Sequence, residues 1–330
     1  MRLLILPLAF AMLIACSTKK EVKTIGTIER TDAALDAIID NDATIEIIAE
    51  GFDWSEGPVW VKEENMLLFS DVPKNIVYKW TEAGGLEKYL EPSGYTGTIP
   101  RGGEMGSNGL TLNNKGHLAL CQHGDRRVAL LNSDFKQPAS NFITLADNYN
   151  GKRFNSPNDV IFDSKGNFYF TDPPYGLVKQ MEDSTKEIPF QGVYKVKPDG
   201  TVILLVDSLT RPNGIGLSPD EKTLYVANSD GPTAKWYSFE LQNDSLVNAR
   251  IFYSTNYVEG EKGAPDGFKV SSTGIIFSTG PGGLWIFDPT GKVLGKIKLP
   301  ESAANCALSP DEKILYITCD MYLLRLKLRK

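Results

Sequence analysis

The sequence predicts an all-β protein, a six-bladed β-propeller, on three observations. A Gly/Pro/Asn-rich turn carrying an acid or an amide recurs roughly every 50 residues, the period of a fold built from radially repeated four-stranded sheets. The turns read Ser55-Glu56-Gly57-Pro58, Ser107-Asn108-Gly109-Leu110, Ser156-Pro157-Asn158-Asp159, Arg211-Pro212-Asn213-Gly214, Ala264-Pro265-Asp266-Gly267 and Ala303-Ala304-Asn305-Cys306. Each is followed by strand, tight turn and strand, as in Val160-Ile161-Phe162, Asp163-Ser164-Lys165-Gly166-Asn167, Phe168-Tyr169-Phe170-Thr171, which is hairpin grammar. No long stretch after the leader shows a convincing helical period.

Taken in chain order, the elements support this reading. Arg2 precedes an apolar run from Leu3 to Ile14 that ends in Leu13-Ile14-Ala15-Cys16, too short to span a bilayer. It resembles a bacterial lipoprotein signal whose lipobox Cys16 becomes the lipidated N-terminus, so residues 1–16 are expected to be leader and the protein to be membrane-attached but not membrane-spanning. The expected location is the bacterial cell envelope, periplasmic or on the outer surface. Residues 17–42 are charged, lack strong periodicity and are expected to be a tether, leaving 43–330 as one propeller domain. Thr44-Ile45-Glu46-Ile47-Ile48-Ala49 alternates as a strand should, whereas Ala303 to Lys330 has room for only three strands. The early strand is therefore expected to complete the last blade and leave no open edge where the chain ends meet.

In blade two the pattern is Leu110-Thr111-Leu112, Asn113-Asn114-Lys115-Gly116, His117-Leu118-Ala119-Leu120, and in blade four it is Ile215-Gly216-Leu217, Ser218-Pro219-Asp220-Glu221-Lys222, Thr223-Leu224-Tyr225-Val226. Blade six repeats Leu308-Ser309-Pro310-Asp311-Glu312-Lys313 almost verbatim. Third strands follow at Gly192 to Val196, Trp236 to Phe239 and Leu284 to Phe287. Two long excursions, Leu90 to Met105 and Leu177 to Gln191, break the rhythm. Loops of this length often line binding sites. The first enters at the mouth that holds the turns, making Tyr95, Arg101 and Glu104 candidate lid contacts.

A net charge of −6 without a basic stretch argues against nucleic acid as a partner. Besides Cys16 there are three cysteines, Cys121, Cys306 and Cys319, without metal-type spacing; at most one disulfide could form, and buried strand thiols fit better. Two histidines are too few for a zinc site of sulfur and imidazole. The chemistry must rest on oxygen. Glu56, Asn213 and Asp266 bring two carboxylates and an amide carbonyl to matching points of successive repeats, a set suited to one hard divalent cation such as Ca²⁺; Zn²⁺, Mn²⁺ or Mg²⁺ are the other candidates.

These motifs together resemble the senescence marker protein (regucalcin), gluconolactonase and luciferin-regenerating enzyme family. The resemblance runs from about Glu50 to the C-terminus and is carried by Ser55 to Trp60, Arg153 to Val160, Phe170 to Gly176, Arg211 to Gly214 and Pro265 to Gly267. Thr171-Asp172-Pro173-Pro174-Tyr175-Gly176 and Cys121-Gln122-His123-Gly124 are most similar to the gluconolactonase branch. The resemblance implies a six-bladed propeller with one divalent metal in its channel and, for many members, hydrolysis of sugar lactones. It matches Glu56, Asn213 and Asp266 to metal ligands, and Asn158 to an asparagine that contacts substrate or a bound water. Arg153-Phe154-Asn155 is also similar to an Arg-x-Asn substrate motif, so Asn155 competes with Asn158, which the repeat position favours.

The expected activity is therefore metal-assisted opening of a sugar lactone. The ion would polarise the carbonyl and hold water beside it, with Asp266 as the candidate catalytic base and Glu56 mainly a ligand. Asn158, Arg153, Asn108, Asn155, His123 and Glu104 are the candidate substrate contacts. Ser-His-Asp catalysis has no support, because a Gly-x-Ser-x-Gly elbow is absent and His117 sits in a strand position. Hydrolysis of another ester or a phosphotriester at the same metal, or a non-catalytic propeller that binds sugar or a protein partner, are the alternatives, since the fold hosts all three.

Overall fold

The computed structural model describes residues 22–231, 234–255 and 258–329. The leader 1–16 with Cys16, and the first part of the expected tether, lie outside the described residues. Six antiparallel sheets are arranged as six blades. Blade one comprises Ser55–Val61, Met66–Asp71, Ile76–Thr81 and Gly85–Leu90, and each blade has its first strand innermost in the sequence order of the repeat. The other innermost strands are Ser107–Leu112, Val160–Phe162, Pro212–Leu217, Phe268–Val270 and Ala303–Leu308. The described helices are two short 3₁₀ turns, Ala33–Ala37 and Gln180–Glu182, and no described helix is long and apolar enough to cross a membrane.

Alternation explains the packing. Strand residues of one parity face the neighbouring blade, and each of the six blade interfaces accordingly has its own buried cluster. Tyr225, Trp236, Phe268, Trp285 and Phe287 fill the space between blades four and five. Phe52, Leu67, Phe69, Tyr316 and Leu323 fill that between blades six and one. Cys121, Cys306 and Cys319 are buried free thiols within such clusters. His117 is exposed and precedes the strand Leu118–Gln122, a correction to its expected strand position.

The ring closes as the sequence predicts, two residues later than expected. Glu46–Glu50 forms the outer strand of blade six against Tyr322–Lys327, with Glu46 opposite Arg325 and Glu50 opposite Tyr322. The tether expectation fails for residues 22–42. Thr27–Arg30 pairs with Val293–Lys298 as a fifth strand on blade five. The following 3₁₀ turn is capped by Asp32, whose Oδ1 accepts from Ala34 N at 2.9 Å, and it drives Leu35 and then Ile39 into the blade five and six core with no residual exposure. The reason is apolar content hidden among charges. Leu35 and Ile39 lie four residues apart, too few to register as a helical period, yet each buries a full side chain.

Candidate functional site

Ladder irregularities aim the turn residues at the channel. Register shifts fall between Glu56 and Val59, Ser107 and Leu110, Pro212 and Ile215, and Ala303 and Asn305. Each places an extra residue where a blade meets the axis, and bulges of this kind redirect side chains beside functional sites. Glycine then lets the turns close on one another. A Cβ on Gly57 would stand 2.1 Å from Asn108 O, one on Gly214 2.2 Å from Asp266 O, and one on Gly267 2.0 Å from Asn305 Cγ. Hydroxyls stitch the same ring: Ser70 Oγ donates to Asn108 O at 2.9 Å, Thr171 Oγ1 to Asn213 O at 2.6 Å and Thr279 Oγ1 to Ala304 O at 3.0 Å.

The ring encloses a cavity of about 240 Å³, lined by Glu56, Asn108, Asn158, Asn213, Asp266 and Glu104, with Trp54, Tyr175 and Ser229 at its walls. Sequence reasoning had singled out the first six; the last three it missed. Asn305, also missed as a site residue, lies directly behind: its Nδ2 donates to Glu56 Oε2 at 3.3 Å and its Oδ1 accepts from Lys269 Nζ at 3.3 Å. Its place in the repeat was the available signal. Ser229 accepts from Asn213 Nδ2 at 3.0 Å and donates to Pro265 O, thereby orienting the Asn213 amide.

Two buried oxygens in this cavity, Asn213 Oδ1 and Asp266 Oδ1, have no hydrogen-bond partner. Unpartnered buried acceptors are costly, and beside Glu56 they make a donor set that fits a hard divalent cation. Among the described residues no cluster of three His, Cys, Asp or Glu side chains is arranged as a metal site; here the third donor is an amide. Electrostatics agree. Burial, with the Asp159 charge adding to it, raises the Glu56 carboxyl although Gly57 N and Asn305 Nδ2 donate to it. Burial first, and then the Glu56 charge, holds Asp266 well above the usual carboxylate range. A cation between two such carboxylates would reverse both shifts.

The remaining candidates divide. Asn158 lines the cavity, while Asn155 is buried away from it, its Nδ2 donating to Asp172 O and Phe190 O at 2.9 Å each. Arg153 is exposed and lies with Arg101 on a separate cavity of about 690 Å³, where its guanidinium donates to Asp125 O at 3.2 Å. Tyr95 shares that cavity with them, and Arg101 is tied down by donation to Gly124 O at 3.1 Å and to Gly176 O. His123 is fully buried behind Glu104, its Nδ1 3.5 Å from Glu104 Oε2, and neither ring nitrogen has a hydrogen-bond partner. Burial lowers the imidazole to about 3, so the ring is neutral and the contact is no ion pair. Burial raises Glu104 to about 7.

Comparison with known proteins places this geometry. Residues 54–320 match the family model for the SMP-30/gluconolactonase/LRE-like region. A gluconolactonase from Zymomonas mobilis is 40% identical over 312 residues, covering 92% of this chain and 86% of that protein. Regucalcin from Pongo abelii is 25% identical over 278 residues, covering 83% and 85%. Among solved structures, a gluconolactonase from Xanthomonas campestris superposes with a TM-score of 0.80 at 30% identity, covering 94% of this chain and 98% of that one. A calcium-binding regucalcin from Agrobacterium tumefaciens shares the fold, with a TM-score of 0.65 at 16% identity over 86% and 94%. The chain belongs to the SMP-30/gluconolactonase/LRE-like family.

Proposed function

We propose that this protein is a metal-dependent hydrolase of sugar lactones, with the reaction centred on the cavity around Glu56, Asn213 and Asp266. The observation that carries the reading is the pair of unpartnered buried oxygens, Asn213 Oδ1 and Asp266 Oδ1, on the cavity they share with Glu56. The 40% identity to a gluconolactonase over most of the chain supports the substrate class, and the calcium-binding relative supports the choice of Ca²⁺. When bound, a divalent ion supplies Lewis-acid polarisation of the carbonyl and positive charge for the developing oxyanion.

The residues do the rest. Asn305 and Gly57 N hold Glu56 Oε2, leaving its other oxygen for the cavity. Ser229 fixes the Asn213 amide so that its oxygen, not its nitrogen, faces inward. Asp266 takes a proton from the attacking water. Asn158 and Asn108 offer donors and acceptors to the hydroxyls of the sugar ring. Trp54 and Tyr175 wall the cavity with aromatic surface, which suits the apolar faces of a pyranose.

A proton-release assay on a panel of sugar lactones, phenyl esters and phosphotriesters, with chelator and with added Ca²⁺, tests the reading. The expected result is chelator-sensitive turnover of sugar lactones. Turnover of phosphotriesters alone, or lactone turnover indifferent to chelator, would overturn it. We further propose attachment to the cell envelope through a lipidated Cys16; a Cys16→Ser chain should leave the membrane fraction, and its retention there would refute the anchor.

A further inference from the structure

Opening a lactone needs two proton movements, and the metal-site residues account for one. Asp266 accepts the proton of water as the new C–O bond forms. When the tetrahedral intermediate collapses, the ring C–O bond breaks and its electron pair goes to an aliphatic alkoxide oxygen. That oxygen is strongly basic, comparable to hydroxide, and cannot leave readily without a proton donor.

Glu104 is the acid outside the metal set that lines the same cavity, and it reaches there from the loop before Ser107–Leu112. Its backing is unusual. His123 stands behind it with no exposure and no partner for either ring nitrogen, its Nδ1 3.5 Å from Glu104 Oε2. Gly176 packs against the base of this side chain, where a Cβ would lie 2.5 Å from His123 Cβ and 2.8 Å from its Cγ. Neither ring nitrogen reaches full hydrogen-bond geometry, its polar contacts being with the backbone and the carboxyl of Glu104, and a buried imidazole so weakly partnered is a cost. A small shift of Glu104 on substrate binding would partner it.

We propose that Glu104 is the general acid that protonates the leaving ring oxygen, and that His123 is its positioning residue. Nδ1–H of the neutral imidazole donates to Glu104 Oε2, which turns the acidic O–H of the other oxygen toward the cavity and stabilises the carboxylate left behind. The balance closes. Water adds across the ring ester, its proton goes to Asp266, the leaving oxygen takes its proton from Glu104, and the enzyme is reset when Asp266 gives its proton up to solvent and Glu104 takes one back through its exposed third.

The proposal rests on the lactonase reading, and leaving-group dependence tests it separately. In δ-gluconolactone the leaving oxygen is an alkoxide. In dihydrocoumarin it is a phenolate, with a conjugate acid near 10, which needs little help. With saturating Ca²⁺, Glu104→Gln is expected to lower kcat on gluconolactone by roughly 10²-fold or more, and on dihydrocoumarin by at least tenfold less. His123→Phe, which fills the space without a donor, should reproduce part of that selective loss, and His123→Gln should recover some of it. Equal losses on both substrates, with KM raised, would make Glu104 a binding group and overturn the proposal. Thermal unfolding and Ca²⁺ titration of each variant separate misfolding from loss of the acid. Wild-type protein that opens neither lactone would overturn the parent reading before any variant is compared.

Discussion

Gly214→Ala isolates the contribution of ring closure to the site. Gly214 follows the proposed ligand Asn213, and a Cβ added there would meet Asp266 O at 2.2 Å, Gly267 Cα at 2.9 Å and Phe268 Cδ1 at 2.9 Å. Two of these are backbone atoms that cannot rotate away. Reaching ordinary contact, about 3.4 Å or more, forces the turns of blades four and five apart by roughly 1 Å, and misplacement on that scale costs about 10²-fold in rate. The overpacking itself should cost about 1–3 kcal/mol of stability. The three proposed ligands come from blade one and from these two turns, so Ca²⁺ affinity should fall with the rate, by roughly tenfold or more. Calorimetric Ca²⁺ titration, lactone proton release at saturating metal and thermal unfolding read the three effects. Gly102→Ala, where a Cβ meets nothing within 4 Å, serves as control and should stay within about 0.5 kcal/mol. A Gly214→Ala protein with Ca²⁺ affinity and turnover within twofold of wild type would show that the inter-blade approach does not set the site.

Asp266→Asn keeps an oxygen at the cavity while removing a charge and a proton acceptor; turnover should fall by about 10²-fold at saturating Ca²⁺, and full recovery in excess metal would reduce Asp266 to a ligand. Leu35→Ala should lower unfolding stability by about 2–5 kcal/mol, as for a fully buried leucine, measured in denaturant; a change near zero would mean that the N-terminal strap is not part of the cooperative unit. Asp172 is raised from 3.8 to about 7 by burial despite donation from Asn155 N and Ser156 N. A raised acid stabilises the fold below its unfolded value and loses that contribution as pH rises through its folded value. In chelator, therefore, the unfolding temperature should fall between pH 4 and 8, and less steeply in Asp172→Asn; an unchanged slope in the variant would assign the fall to other groups.

The repeat period made the fold legible because a propeller writes the same turn six times, and the turn carries its acid or amide to the start of each blade's innermost strand. That is why Glu56, Asn108, Asn158, Asn213 and Asp266 could be read from spacing and meet in one cavity. Side-chain direction was not legible. Asn155 and Asn158 are three residues apart in one loop, and only the fold shows that the first braces Asp172 and Phe190 while the second faces the cavity. Ser229 stands in a Ser-Asp-Gly loop that resembles any other surface turn, and its importance comes from Asn213, sixteen residues away. Asn305 carried the right repeat position but contributes through Glu56, from the opposite end of the sequence. The strap escaped notice because Leu35 and Ile39 sit among acids and alanines that read as solvated.

The closure of blade six by a strand from the start of the chain has a consequence for biosynthesis. Glu46 and Arg325 are joined by a 2.7 Å hydrogen bond across 279 residues, so this pairing cannot form until the end of the chain has been synthesised. Until then the face of blade one that carries Leu67 and Phe69 lacks its cover, and a chain in that state exposes both apolar surface and an unpaired edge. Asn305, which holds Glu56, arrives with the same last blade. A chain that lacks its last blade would thus be an open ring in which Glu56 has lost the amide that braces it.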